Sequence, residues 1–245
     1  MQLAPLSPGQ IVVDHFYIGV LITVFYVIAG PLLVSQGYPG LAPLLLAELF
    51  ILAPVGMVHL LVKAKSLTGQ YHLSSVIVYR HRLPMRSMVL WSLGGIVLVN
   101  LVYVPLYPVG IFLQGSMFSW LPKWYFDPGF ESVDAALIAK MFLAAIFIDG
   151  LVGPIVEELF FRGYLLARME HLKSWAPVVN GALFGAYHFW QPHNFLALIG
   201  VGIALSYVVW KTRNVYLGII IHCSMNLAGA IGGYMAVSAG SMFSR

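Results

Sequence analysis

The chain has 245 residues, 60% of them hydrophobic and only 9% Asp, Glu, Lys or Arg, with a mean hydropathy of +0.87. That composition excludes a water-soluble globular domain. Repeated apolar runs of about 20 residues, the length that crosses a hydrocarbon core, indicate a polytopic helical membrane protein. The net charge of +4 is concentrated between apolar runs, as topology signals are, and forms no nucleic-acid patch; the single Cys223 excludes an internal disulfide framework.

In chain order, residues 1–10 lack the basic residues of a secretory signal, so the run 11–34 reads as a retained first span, ended by Gly37-Tyr38-Pro39-Gly40. A second span covers 41–62. Residues 63–87 carry Lys63, Lys65, Arg80, Arg82 and Arg86 and no acid, which assigns them to the cytoplasm; partial insertion of 70–79 would add a span. A third span, 88–113, leads into 114–134, where Trp120, Trp124, Tyr125 and Phe126 mix with Asp127, Glu131 and Asp134, a composition suited to the outer interface. The fourth run, 140–168, is interrupted by Gly150, Gly153 and Pro154; it exceeds the length needed to cross and is expected to tilt or to kink at Pro154. Glu157 and Glu158 then fall in the first turns of its inner half, where the helix dipole favours negative charge. A fifth span covers 175–190, Gln191-Pro192-His193-Asn194 makes an outer turn, a sixth span ends at Lys211-Thr212-Arg213, and a seventh runs over 215–237. With the N-terminus inside, Arg168, Lys173, Lys211 and Arg213 join the five basic residues of 63–87 on the cytoplasmic side, while Lys123 and Arg245 fall outside. The expectation is one all-α domain, 1–245, a transmembrane bundle of seven to eight spans. Variable spans occupy 1–134 and a functional core occupies 135–240.

Depth arithmetic connects separate polar residues. At about 1.5 Å per residue from the cytoplasmic ends, Glu157 lies about 16 Å from Arg168 and His188 about 20 Å from Trp175. From Arg213, His222 lies about 14 Å and Asn226 about 20 Å. Four polar side chains thus share one layer near mid-membrane, where they must meet each other or water. Glu158 and Arg162 are i,i+4 partners, as are His222 and Asn226. Taken singly, Glu158 with Arg162 is a structural ion pair, and His188 or Asn226 an interhelical hydrogen-bond residue; their joint alignment with Glu157 favours a site. Cys223, beside His222, points about 100° away from it, against a thiol nucleophile. Asp149, His15, His59 and His193 lie near expected span ends, where solvation or capping suffices. Phe184 is read as packing, Tyr187 and Trp190 as cavity wall or interface anchors, and the Gly181/Gly185 and Ala228/Gly232 pairs as sites of close helix contact.

The spacings Glu157-Glu158-x-x-x-Arg162, Phe184-x-x-x-His188 and His222-x-x-x-Asn226, in that order, resemble the three motifs of the CAAX prenyl endopeptidase and bacteriocin-processing (CPBP, abortive-infection) family of intramembrane proteases. The resemblance covers about 141–235 and implies a helical bundle with an active-site cavity open to the cytosol, in a cell membrane and, from the wording around Gly163, on the prokaryotic branch. Peptide hydrolysis without Ser or Cys needs a base for water, donors for the oxyanion and a proton for the leaving amine. A partly desolvated Glu157 would serve as base, His188 would bind or polarise the water and shuttle the proton, and His222 with the Asn226 amide would donate to the oxyanion. Glu158 pairs with Arg162. Glu157, His188 and His222 also resemble a zinc set. With no His-Glu-x-x-His pair and Glu158 assigned to Arg162, the metal-free reading is favoured and zinc is the alternative. The expected partners are the bilayer and a peptide or lipidated protein tail, with no nucleic acid; oligomeric state is open. A noncatalytic scaffold or immunity protein of the same fold, or a small transporter, are the alternative functions.

Overall fold

The computed structural model describes residues 3–126 and 130–240; Asp127 and Arg245, assigned above to outer segments, lie outside the described residues, as does the side chain of Glu131. The helices are α1 (Pro8–Ser35), α2 (Leu41–Thr68), α3 (Met85–Gly115), α4 (Ala135–Arg168), α5 (Ala176–Ala186), α6 (Pro192–Thr212) and α7 (Val215–Ser238). All except α5 are long and apolar enough to cross a membrane, which makes six candidate spans among the described residues. Local signals set the ends. Ser7 and Gln10 form a reciprocal capping box on α1, Asp134 caps α4 through the Ala136 and Leu137 amides, and Gly69 ends α2 with a left-handed φ of 75°.

The expected fifth span differs. Helix α5 has 11 residues and reaches about 16 Å, half a hydrocarbon core. It is held by contact with protein: Gly181 and Gly185 lie against the α6 backbone at Gly202, Ile203 and Ile199, and a Cβ at either glycine would overlap those atoms. The second small-residue pair behaves differently. Ala228 is exposed and Gly232 has open space around it; the close approach of α7 to α4 comes one residue later, where Gly233 meets Phe142.

One end of the bundle gathers the N-terminus, the 69–84 segment and the ends of α4 and α6. The Leu6 amide donates to the Arg168 carbonyl (3.1 Å), Val78 to Gly163 (3.3 Å) and His81 to Arg213 (2.8 Å), and a single antiparallel bridge pairs Arg80 with Asn214. Val76, Ile77 and Tyr79 are thereby buried in the main core with Phe160, Phe161 and Leu165, so 70–79 is a packed connection and forms no span of its own. Tyr79 donates to Glu170 (2.7 Å), and Arg213 bonds to both; burial, reinforced by the Glu170 hydrogen bond, raises the Tyr79 phenol above its ordinary value.

The kink expected at Pro154 is taken up inside a continuous helix. Turns widen to π geometry at Ile148–Val152, just before Gly153-Pro154, and again at Glu158–Leu165; α2 has the same widening at Glu48–Leu52. Proline supplies no N–H and crowds the carbonyl four residues back, and a wider preceding turn relieves both.

The α5–α6 contact has a direct check. Gly181→Val overpacks it and is expected to cost about 1–3 kcal/mol, lowering the melting temperature of the purified chain in detergent, whereas Gly232→Val leaves that temperature unchanged.

Candidate active site

Glu158 and Arg162, one helical turn apart in the wide α4 segment, are both fully buried and joined at 2.9 Å. Arg162 has further donors to place. Its Nε donates to Ser206 Oγ and its Nη2 to the Gly202 carbonyl, both at 3.3 Å, and its guanidinium lies 3.8 Å over the Phe184 ring. From Ser206 the hydrogen bonds continue in one direction. Ser206 donates to Asn180 Oδ1 (2.9 Å), the Asn180 amide donates to the Phe161 carbonyl (3.0 Å) and to His15 Nε2 (3.0 Å), and His15 Nδ1 donates to the Ile11 carbonyl (2.6 Å). Because a carbonyl only accepts, the last bond sets the His15 tautomer and frees Nε2 to accept. His15 is therefore an interior polar residue with no exposure, a correction to its assignment at a span end. His59 is likewise turned inward, with Nδ1 bonded to the Tyr17 hydroxyl (2.9 Å) and its ring edge-on to Phe160 and Tyr164.

On the other side of Glu158, Oε1 also accepts from His222 Nδ1 at 3.0 Å, which turns His222 Nε2 toward Glu157 Oε2, 3.7 Å away. Gly218 allows this approach: a Cβ there would collide with Glu158 Oε2. Glu157 itself is buried, and its Oε1 accepts the Tyr187 hydroxyl. Tyr187 is fully buried, a correction to its reading as cavity wall or interface anchor; it stands behind Glu157 and holds one carboxylate oxygen. His188 Nδ1 donates to the Phe184 carbonyl (2.9 Å), leaving Nε2 as the acceptor of a neutral imidazole. The Phe184 ring stands edge-on to both imidazoles, with centroids 5.0 Å from His188 and 6.1 Å from His222.

Glu157, Phe184, His188, His222 and Asn226 share a cavity of 430 Å³, while Glu158 and Arg162 lie behind its wall. The structure thus gathers the residues that depth arithmetic placed in one layer. It differs at Asn226, whose amide donates to the Asp149 carbonyl (3.0 Å) and to Asp149 Oδ1 (3.3 Å) instead of pointing into free space. It also corrects Asp149: α4 begins at Ala135, so this residue lies well inside the span, on the cavity beside Glu48 of α2. Glu48 and Tyr187 carried signals that the spacing argument passed over, a lone acid within an apolar run and a tyrosine next to a candidate histidine. Among the described residues no three His, Cys, Asp or Glu side chains converge as a metal-holding set.

Comparison with known proteins bears on the part of the chain that builds this site. Residues 139–228 match the family model described as Type II CAAX prenyl endopeptidase Rce1-like. This part of the chain resembles that family. The matched segment runs from α4 into α7 and holds all seven motif residues, whereas His15 and Glu48 precede it. Over 143 residues the chain is 24% identical to YdiL of Bacillus subtilis, a protein whose designation as a membrane peptidase is itself inferred; the match covers 56% of this chain and 53% of that protein, so the chain spans about half the length of the relative. No solved structure matches the chain.

The buried network has measurable consequences. Arg162→Met strands the Glu158 carboxylate and is expected to destabilise the fold by about 3–5 kcal/mol. Asn180→Leu leaves the Ser206 hydroxyl, His15 and the Phe161 carbonyl short of partners, at about 1–3 kcal/mol. Thermal unfolding in detergent should rank Arg162→Met below Asn180→Leu, and both below wild type.

Proposed function

We propose that the chain is an intramembrane endopeptidase in which Glu157 activates water. The observation that carries the reading is the placement of Glu157: one carboxylate oxygen is held by Tyr187 and the other faces His222 Nε2 at 3.7 Å, in a cavity shared with His188. The Rce1-like match over the same residues supports it.

In the proposed reaction His188 Nε2 accepts a hydrogen bond from a water that Glu157 deprotonates as the water oxygen bonds to the peptide carbonyl carbon. The carbonyl oxygen becomes an oxyanion. His222 lies between the Glu157 and Glu158 carboxyls; in its doubly protonated form it presents an N–H at Nε2 to stabilise that charge. The C–N bond then breaks as Glu157 returns the proton to the leaving nitrogen, giving a carboxylic acid and an amine. Asn226 would join the oxyanion site only by releasing Asp149; in the arrangement described it positions Asp149. No step requires a metal, and zinc held by Glu157, His188 and His222 is the competing mechanism. The substrate is a peptide or a lipidated protein tail entering from the end of the bundle where the basic residues gather, taken as the cytoplasmic face of a prokaryotic cell membrane.

Cleavage of a fluorogenic peptide panel with farnesylated and unlipidated members tests this reading. Wild type is expected to cleave at least one member, Glu157→Gln to lose about 10²–10⁴-fold and His222→Ala about 10²–10³-fold, all three folded and indifferent to chelator. Tyr187→Phe, which removes one hydrogen bond to the base, should lose about tenfold. Activity abolished by chelator and restored by zinc would replace the metal-free mechanism, and in-cell function that survives Glu157→Gln would decide for a noncatalytic scaffold.

A further inference from the structure

The cavity carries a second acidic group that the proposed hydrolysis does not use. Glu48 and Asp149 come from different spans, each at a widened turn; the two turns pack together and both carboxyls line the cavity. Asn226 donates to Asp149 Oδ1 at 3.3 Å, whereas the buried Glu48 Oε2 has no hydrogen-bond partner among the described residues. Glu48 is 8% exposed and lines the cavity. The absence of a side chain at Gly153 leaves room beside it, since a Cβ there would sit 3.3 Å from Oε2.

The cavity wall has no cation free to meet these carboxyls, since His222 donates to Glu158 and faces Glu157. Its lining includes neither lysine nor arginine, and Arg162, the arginine nearest in the network, is committed to Glu158, Ser206 and Gly202 behind Phe184. A negative charge at membrane depth without a cation is costly, and such groups typically pair with one another or lie on the path of a charged guest. We propose that the Glu48–Asp149 pair is a binding subsite for a cationic side chain of the substrate, an ammonium or guanidinium. The proposal rests on the peptidase reading of the same cavity and adds a substrate class to it: peptides with a basic residue close to the scissile bond. A 430 Å³ cavity is about 9 Å across if taken as a sphere, and an extended chain advances about 3.3 Å per residue, which sets the basic residue within about two positions of the bond.

The test is a binding measurement on the full chain in nanodiscs of zwitterionic lipid, made in the Glu157→Gln background so that no turnover is needed. Acetylated, amidated hexapeptides of Leu and Ala would carry one Lys, one Arg or one norleucine at each position in turn. At one position Lys or Arg should bind at least about tenfold more tightly than norleucine, as a charge-assisted hydrogen bond provides. Adding Asp149→Asn or Glu48→Gln should bring that ratio to within about twofold while the norleucine peptide binds as before. Equal binding of Lys and norleucine at every position overturns the proposal. So does a preference that survives both substitutions, or failure of every basic peptide to bind. The comparison between peptides needs no variant at Glu48 or Asp149, so a folding defect in either cannot hide the answer. If basic peptides are preferred but wild type cleaves none of them, the peptidase reading fails and the subsite stands; if wild type cleaves peptides without a basic preference, the subsite alone fails.

Discussion

The rest of the structure depends on the Glu158–Arg162 ion pair. Both side chains are fully buried, in a molecule whose surroundings are hydrocarbon. Neither charge can be left alone there, and a pair is tolerated only when its remaining donors and acceptors are also met. Arg162 meets that condition with Ser206 and Gly202 of α6 and the ring of Phe184 of α5; through Ser206 and Asn180 the demand reaches His15 in α1. Glu158 turns its other side to His222 of α7. One electrostatic requirement therefore ties α1, α4, α5, α6 and α7 together and also sets the orientation of the imidazole that faces Glu157.

Backbone geometry brings the carboxyls to their places. Glu48, Asp149 and Glu158 each lie at or beside the start of a widened helical turn, and Glu157 immediately precedes one. Such turns shift side chains off the rows of a regular α-helix and are frequent at functional sites. Gly218, where a side chain would strike Glu158, and Gly181 and Gly185, where one would strike α6, supply the close approaches that let α4, α5, α6 and α7 converge on one small cavity. The short α5 has the same cause. It is built to rest on α6 and to present Phe184, followed by the turn that carries Tyr187 and His188, without having to cross the membrane.

Much of this was legible in the residues. Membrane class follows from composition, and the helices follow from apolar runs. The convergence of Glu157, His188, His222 and Asn226 on one cavity follows from counting rise per residue from the basic ends. What escaped had physical reasons. A boundary at Lys140, the last charge before the apolar run, sets Asp149 near a span end, whereas the Asp134 cap starts the helix at Ala135. Glu48 has no partner at helical spacing in its own span; its neighbour Asp149 lies about a hundred positions away, a contact no periodicity encodes, although a lone acid in an apolar run is itself a signal. Asn180 and Ser206 carry no signal of their own in the sequence, and His15 reads as a span-end residue, because their role exists only once Arg162 has donors to place. The widened turns, which change which residues share a face, are invisible to a count that assumes 3.6 residues per turn.

The central claim is that a carboxylate acting on water, with no covalent nucleophile from the chain, cuts the peptide opposite an imidazole held by the buried ion pair. The most direct measurement is intact-mass analysis of the wild-type chain quenched during turnover in ¹⁸O-water, together with its products. The account predicts an unmodified chain at every time point and a single ¹⁸O atom in the newly formed carboxyl group. A chain that gains the mass of the acyl fragment, on Cys223 or on any hydroxyl, would contradict it.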